Sequence, residues 1–214
     1  MKLTILVDNP KSWYLPYALK LQKLLADFGH KVSLVHTVED VPVGDCVFFL
    51  SCEQIIKSDV RKRNKYNIVV HSSDLPLGKG WSPLTWQILE GKDQVTNTLF
   101  EAVDKVDAGV IYAQNKMVFS GDELLPELHE KQGNGINELV IGFVERLPNV
   151  IGQEQKGEET FFPRRRPTDS QLDPHKSIAE QFNLLRVVDN ELYPAYIDWM
   201  GNRYLIKIYK EPKK

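Results

Sequence analysis

The feature that most constrains this chain is a recurrence of short, β-branched apolar runs separated by amphipathic or turn-forming stretches through its first third. Lys2 to Val7 is such a run. A polar turn from Asp8 to Ser12 follows, and then a stretch carrying Tyr17, Leu21, Leu24, Leu25 and Phe28 at helical spacing. Gly29 is a good helix stop, and Lys31 to His36 alternates as a second strand. Cys46 to Ser51 supplies a third strand after the turn at Pro42 to Gly44, and Asn67 to Val70 a fourth that ends at His71. Glu53 to Lys57 has the length of a short helix. Strand–helix alternation of this kind covers its apolar faces as a parallel sheet with right-handed crossovers. The expected fold is therefore α/β, a doubly wound, mostly parallel Rossmann-like sheet. Ligands of such sheets sit outside the carboxyl ends of the strands, which directs attention to the loops after Val7, Ser51 and Val70.

Further along, Pro83 opens a helix to Leu89 with Ser82 as its expected N-cap and Gly91 as its stop. Thr96 to Val103, Val110 to Ala113 and Lys116 to Phe119 read as strands. Gly121 to Leu147 reads as a helix that Gly133 and Gly135 would break or kink. After Pro148 the sequence GQEQKGEETFFPRRRPTDS is polar and irregular, the composition of a linker over the surface. The tail predicts a helix from Ser177 to Val187 and a hairpin of Tyr193 to Trp199 with Arg203 to Tyr209. The expected division is a catalytic region over 1–150, a linker over 151–175 and a small C-terminal α+β extension over 176–214. The length of 214 residues suits one principal domain with a small lobe.

Hydrophobic residues at 42% and charged residues at 26% are the profile of a globular protein. A net charge of -2 supplies no global positive field for nucleic acid. The first apolar run is too short for a signal segment or a membrane span, so a cytoplasmic protein without a membrane partner is expected. Cys46 and Cys52 lie in or beside an apolar strand pattern, where thiols act as small hydrophobes, and two thiols are a poor basis for a metal site.

Two segments carry the chemistry. VVHSSDLPLGKGWSPLTWQILEG, residues 69–91, places His71 just past a strand and then a Pro/Gly-rich loop whose backbone can approach a ligand closely. One histidine among five is more often structural than catalytic, so the second segment matters: in EAVDKVDAGVIYAQ, residues 101–114, Asp107 is followed by Ala108 and Gly109. Together the two segments resemble the 10-formyltetrahydrofolate-dependent formyltransferases, in particular the catalytic domain of the methionyl-tRNA formyltransferase type. That family carries a strand-ending Asn-x-His, a Ser-Leu-Leu-Pro-type loop with a Gly-rich tail, and an Asp-x-Gly motif. The matching residues are His71, Ser73, Leu75, Pro76, Lys79, Gly80 and Pro83, then Asp107 and Gly109, and the separation of 36 positions between His71 and Asp107 is also similar. The resemblance runs to the helix ending near Leu147 and, more weakly, into RRRPTDSQLD and SIAEQFNLLRVVD.

The resemblance implies that His71 is the proton carrier and Asp107 the carboxylate that orients it and stabilises its charged form. It implies 10-formyltetrahydrofolate as co-substrate, carrying the one-carbon unit without a metal. The pterin would lie against the backbone of Phe49, Leu50, Ser51, Cys52 and Ile55 and against the loop before Asp107, with Val106. One departure stands out, because Val69 occupies the position where the family has the asparagine that holds the carbonyl oxygen as it becomes an oxyanion. Losing one such donor costs about 2.7–4 kcal/mol. Asn97, Ser73 and a loop amide are the candidate replacements, with Asn97 preferred.

The loop from Asp8 to Tyr14 offers aromatic faces for a base and donors for a diphosphate. Asn9, Ser12 and Trp13, with Ser73, Lys79 and Trp81, are the expected acceptor-binding residues. The 69–91 motif is most similar to small sugar formyltransferases of the pseudaminic-acid type, which implies a nucleotide-linked amino sugar as acceptor, a UDP-linked 4-amino-4,6-dideoxy sugar in particular. A nucleic-acid acceptor is not expected, because the chain lacks both the basic surplus and the room for a tRNA-gripping domain. The basic cluster from Lys57 to Lys65 reads as solvated surface charge; Arg164 to Arg166 form a second cluster. The alternatives are formylation of another amine such as an aminoacyl group, release of formate to water, or a non-catalytic relative that binds folate or nucleotide. The hairpin from Tyr193 to Tyr209 would suit a homodimer.

Overall fold

The apolar runs pair into one six-stranded sheet. In the computed structural model, which describes residues 1–211, the chain order begins with β1 (Lys2–Leu6), α1 (Leu15–Asp27), β2 (Lys31–Val35), β3 (Gly44–Phe49), α2 (Ser58–Arg61) and β4 (Asn64–His71). It continues through β5 (Lys79–Gly80), α3 (Pro83–Leu89), β6 (Gln94–Glu101), β7 (Ile111–Val118), α4 (Leu125–Arg146) and β8 (Phe161–Phe162). It closes with α5 (Phe182–Arg186), β9 (Ala195–Trp199) and β10 (Asn202–Ile206). The sheet order is β2-β1-β3-β4-β6-β7. The first four strands are mutually parallel, and β6 and β7 add as antiparallel strands. This is the expected mostly parallel α/β sheet. The chain leaves β1 in one direction to β2 and then returns to the other side for β3, so the switch point lies between β1 and β3.

Strand alternation divides the side chains between two cores. Leu3, Ile5, Cys46, Phe48 and Ile68 face α1 and α4, where they meet Leu21, Leu25, Val140 and Phe143. Leu6, Val47, Phe49 and Val69 point to the opposite face, where they pack with Val41, Ile56 and Val60 and with partly buried Val35, Val38, Cys52 and Ala102. Burying each large apolar side chain contributes about 1.5–3 kcal/mol, so the face with the two long helices carries most of the fold's stability. The thinner face leaves room for the loops that follow β4 and β6.

Several local expectations change. Glu53 to Lys57 is not helical, because the amides of Glu53 and Gln54 both donate to the Asp8 carboxylate at 2.8 Å, and α2 forms instead at Ser58–Arg61. Ser82 precedes α3 but its side chain makes no capping bond, since its φ of +48° puts it in the left-handed region. The two short strands expected over 110–119 are one strand, β7. Helix α4 passes through Gly133 without a break; a Cβ there would meet the Tyr17 ring at 2.5 Å, so the glycine marks close packing of α1 on α4 rather than a kink.

The polar stretch after Pro148 is mostly irregular, yet it is tied to the sheet. Ile111 and Gln153 exchange two backbone hydrogen bonds at 2.7 and 2.8 Å, and β8 pairs in parallel with β5. The helix expected over 177–187 shortens to α5 with a single 3-10 turn before it, and the hairpin β9–β10 forms with Met200 and Gly201 at its tip. The extension is anchored by buried Arg186, which donates to the Glu123 carboxylate at 3.1 Å and to the Glu123 carbonyl. The last three positions of the range 176–214 lie outside the described residues. Among the described residues no helix is long and apolar enough to cross a membrane.

Candidate active site

His71 is the last residue of β4 and, by alternation from Val69, it projects from the thinly covered face. Its Nε2 lies 2.8 Å from the Gly78 carbonyl oxygen. A carbonyl only accepts, so Nε2 carries the hydrogen and the lone pair of the neutral ring is on Nδ1. The Asp107 carboxylate lies 4.0 Å from the same Nε2, too far for a hydrogen bond. Both side chains are mostly buried, at 10% and 11% exposure.

Asp107 itself stands in the left-handed region at φ +51°, a conformation costing a non-glycine residue about 1–2 kcal/mol. Neighbouring bonds hold it there. Its carboxylate accepts from the Gly80 amide at 2.9 Å, and the Gln155 side-chain amide donates to the carbonyls of Asp107 and Gly109 at 3.0 and 2.9 Å. Gly109 is required in this turn, because a Cβ would sit 1.7 Å from the Glu101 carbonyl oxygen.

The structure moves Asn97 away from this site. Thr98, not Asn97, pairs with His71 across β4 and β6, so Asn97 projects to the opposite face. There it is fully buried, accepting from the Ser72 hydroxyl at 2.7 Å and donating to Asn115 at 3.1 Å beneath α4. Sequence spacing gives no sign of this one-residue offset. Ser73 is also buried, at 1% exposure, and its hydroxyl has no partner among the described residues. The amides from Gly78 to Trp81 are all committed, to Thr160, Asp107 or Phe162. That stretch therefore has no spare amide to stand in for the missing asparagine, and Val69 itself packs among apolar side chains.

Lys79 is another correction. Its ammonium is buried and bonded to Glu159 at 2.8 Å, so it is not free to meet a phosphate. An exposed cation beside this loop is Arg164, whose guanidinium lies 4.5 Å from the centre of the Trp81 ring and which also pairs with Glu53 at 3.0 Å. One face of Trp81 is thus covered, and the residue is 37% exposed. Trp13 likewise has one face taken, stacked on His129 at 4.2 Å.

At the switch point, the Ser12 and Ser51 hydroxyls share a 2.8 Å hydrogen bond, and the Asn9 side chain accepts from the Lys11 amide at 2.9 Å. These bonds, with those from Asp8, draw the loops after β1 and β3 together. Phe49 and Leu50 are core residues, and the Cys52 thiol donates to the Leu6 carbonyl while burial and the Asp8 carboxylate push its pKa up to about 12. It is not a thiolate nucleophile. Ile55 and Val106 are exposed at 72% and 49%, aliphatic side chains on two loops otherwise fastened by polar bonds. Among the described residues no group of three or more His, Cys, Asp or Glu is arranged to hold a metal ion.

Known structures share this architecture. A methionyl-tRNA formyltransferase from Clostridium thermocellum superposes with a TM-score of 0.82 at 22% identity, over 99% of this chain and 94% of that one. A sugar N-formyltransferase from a Shewanella species gives 0.71 at 17% identity, over 100% and 99% of the two chains. HypX from Aquifex aeolicus in complex with tetrahydrofolic acid gives 0.82 at 20% identity, over 97% of this chain and 37% of that one. No family model matches the sequence. The fold is that of the formyltransferases.

Proposed function

We propose that this protein is an N-formyltransferase that moves a formyl group from 10-formyltetrahydrofolate to the amine of a nucleotide-linked amino sugar. The observation that carries the reading is the mostly buried imidazole of His71 held 4.0 Å from the mostly buried Asp107 carboxylate, in a formyltransferase fold. When bound, the folate supplies the activated formyl group. A reduced pterin is flat, with apolar faces and polar edges, and the exposed Ile55 and Val106 on the loops after β3 and β6 suit those faces.

The chain's own part is proton traffic. The attacking amine must lose a proton, and the nitrogen that gives up the formyl group must gain one, so the two cancel. The free nitrogen of His71 takes the proton and returns it, and the Asp107 carboxylate favours the ring's charged form in between. Arg164 over Trp81 supplies a cation and an aromatic face beside Asp107, which suits a nucleoside diphosphate. A UDP-linked 4-amino-4,6-dideoxy sugar is the first acceptor to try.

The test is a panel of nucleotide-linked amino sugars and an aminoacyl-tRNA, each incubated with 10-formyltetrahydrofolate and read by mass spectrometry. Gain of one formyl group on a sugar nucleotide is the expected result. Formylation of the aminoacyl-tRNA alone would replace the acceptor, and binding of folate with no formylated product would overturn the assignment as an enzyme.

A further inference from the structure

Three of the contacts that fix His71 against Asp107 lead to one segment, Gln155 to Phe162, which reads in sequence as a surface linker. Three routes converge. The Gly78 carbonyl that receives His71 Nε2 belongs to a residue whose own amide donates to the Thr160 hydroxyl at 2.7 Å. The Gly80 amide that donates to the Asp107 carboxylate lies in β5, which is held by β8, and the Lys79 amide donates to the Thr160 carbonyl at 2.9 Å. The backbone of Asp107 is held by the Gln155 amide group, which spans the carbonyls of Asp107 and Gly109. Neither the Gln155 nor the Thr160 side chain hydrogen-bonds the His71 ring or the Asp107 carboxylate itself.

We propose that Gln155 and Thr160 are positioning residues for this site: Thr160 sets the imidazole by holding Gly78 on both sides, its hydroxyl on the Gly78 amide and its carbonyl on the Lys79 amide of the peptide that carries the Gly78 carbonyl, and Gln155 sets the carboxylate through the Asp107 turn. The inference rests on the catalytic reading of His71 and Asp107, but its geometry can be tested without turnover. The Gly78 carbonyl locks the ring with hydrogen on Nε2, and if the Gly78 peptide loosens, that lock goes with it. Misplacing a reacting group by about 1 Å typically costs on the order of a hundredfold in rate, while binding of the two substrates would be little affected.

The experiment uses the full chain with 15N-labelled histidine, whose ring shifts report which nitrogen carries hydrogen; the His71→Gln spectrum assigns the His71 signals. The parent is expected to show His71 protonated at Nε2. Thr160→Val keeps the side-chain shape and removes the acceptor; it is expected to give a mixture of ring tautomers, with kcat lowered on the order of tenfold to a hundredfold and KM within about twofold. Thr160→Ser restores the acceptor and should return both signals to the parent values. Gln155→Met should leave the His71 tautomer in place while lowering kcat. Leu205→Ser, in the distant hairpin, controls for a general loss of stability and should change neither. An unchanged His71 spectrum and kcat in Thr160→Val, or a loss that Thr160→Ser fails to restore, overturns the role of Thr160; normal kcat in Gln155→Met overturns that of Gln155. If the parent shows no formyl transfer, the function fails, while the tautomer readout still decides whether Thr160 holds the ring.

Discussion

Between Gln153 and Phe162 the chain has one two-residue strand and otherwise irregular backbone, whereas β9 and β10 form a regular five-pair antiparallel hairpin. The irregular strap bonds to the loops carrying both candidate catalytic residues. The regular hairpin packs Ala195, Ile197 and Ile206 on Leu172, Leu185 and Val188, and leaves Trp199, Met200, Tyr204 and Leu205 exposed. The strap gains its order from partners far away in sequence, the hairpin from its own next strand. Regularity thus measures local pairing, not involvement in the site.

The largest effect that tests this contrast falls on the pair the strap holds. His71→Ala is expected to lower turnover by about 10²–10⁴-fold with the fold intact, and Asp107→Ala to lower it strongly as well, measured as formylated product by mass spectrometry alongside circular dichroism. Near-normal rates in both variants would detach the strap from any catalytic purpose.

A matched pair of glycine substitutions comes next. Gly80 has φ +97° and a Cβ there would lie 2.6 Å from the Phe162 carbonyl, whereas Gly201 has φ +78° and open space around it. Gly80→Ala should therefore cost about 2–5 kcal/mol, from conformational strain plus overpacking, and should separate β5 from β8 with loss of activity. Gly201→Ala carries the strain alone, about 1–2 kcal/mol, and should leave turnover unchanged. Denaturant unfolding and a rate assay on both variants compare the two; equal losses of activity would erase the distinction between strap and hairpin.

A smaller effect depends on pH. Burial against Trp13 lowers the His129 pKa from 6.5 to about 4, only partly opposed by the Asp189 carboxylate. The unfolded chain then binds the extra proton more readily than the folded one as pH falls from 6.5 towards 4. The contribution of a neutral His129 is therefore complete above that window and is lost on acidification through it. Thermal unfolding at pH 7 and pH 4.5 should show His129→Phe losing less Tm than the parent. The smallest change is expected for Leu205→Ser, within about 0.5 kcal/mol by denaturant unfolding, because Leu205 is already 63% exposed.

Much of the frame was legible from sequence. The runs at β1 to β4, the Gly29 stop and the ends of α3 and α4 follow from periodicities of two and 3.6 residues, which depend on neighbours along the chain. His71 and Asp107 were legible as motifs, and they do meet. Asn97 and Lys79 were misplaced for a different reason: both are polar residues in apt motifs, but a one-residue register sends Asn97 under α4, and a glutamate 80 positions away claims Lys79. Gln155 and Thr160 were missed because a polar, irregular stretch looks the same whether it is solvated or pinned. The one available signal was the apolar pair Phe161 and Phe162 inside it, which gives the strap a place to pair with β5.

By itself, then, the sequence determined the alternation of strands and helices, the parallel sheet and the two residues best suited to move a proton. Those properties arise from side-chain spacing and intrinsic chemistry, both local. Only the tertiary structure decided that the imidazole nitrogen facing Asp107 is tied to the Gly78 carbonyl, that Asn97 and Lys79 are occupied elsewhere, and that a segment outside the sheet bonds to the loops next to His71 and Asp107. The reason is physical: a buried polar group must find a partner, and which partner it finds depends on register, packing and long-range pairing rather than on its neighbours in the chain.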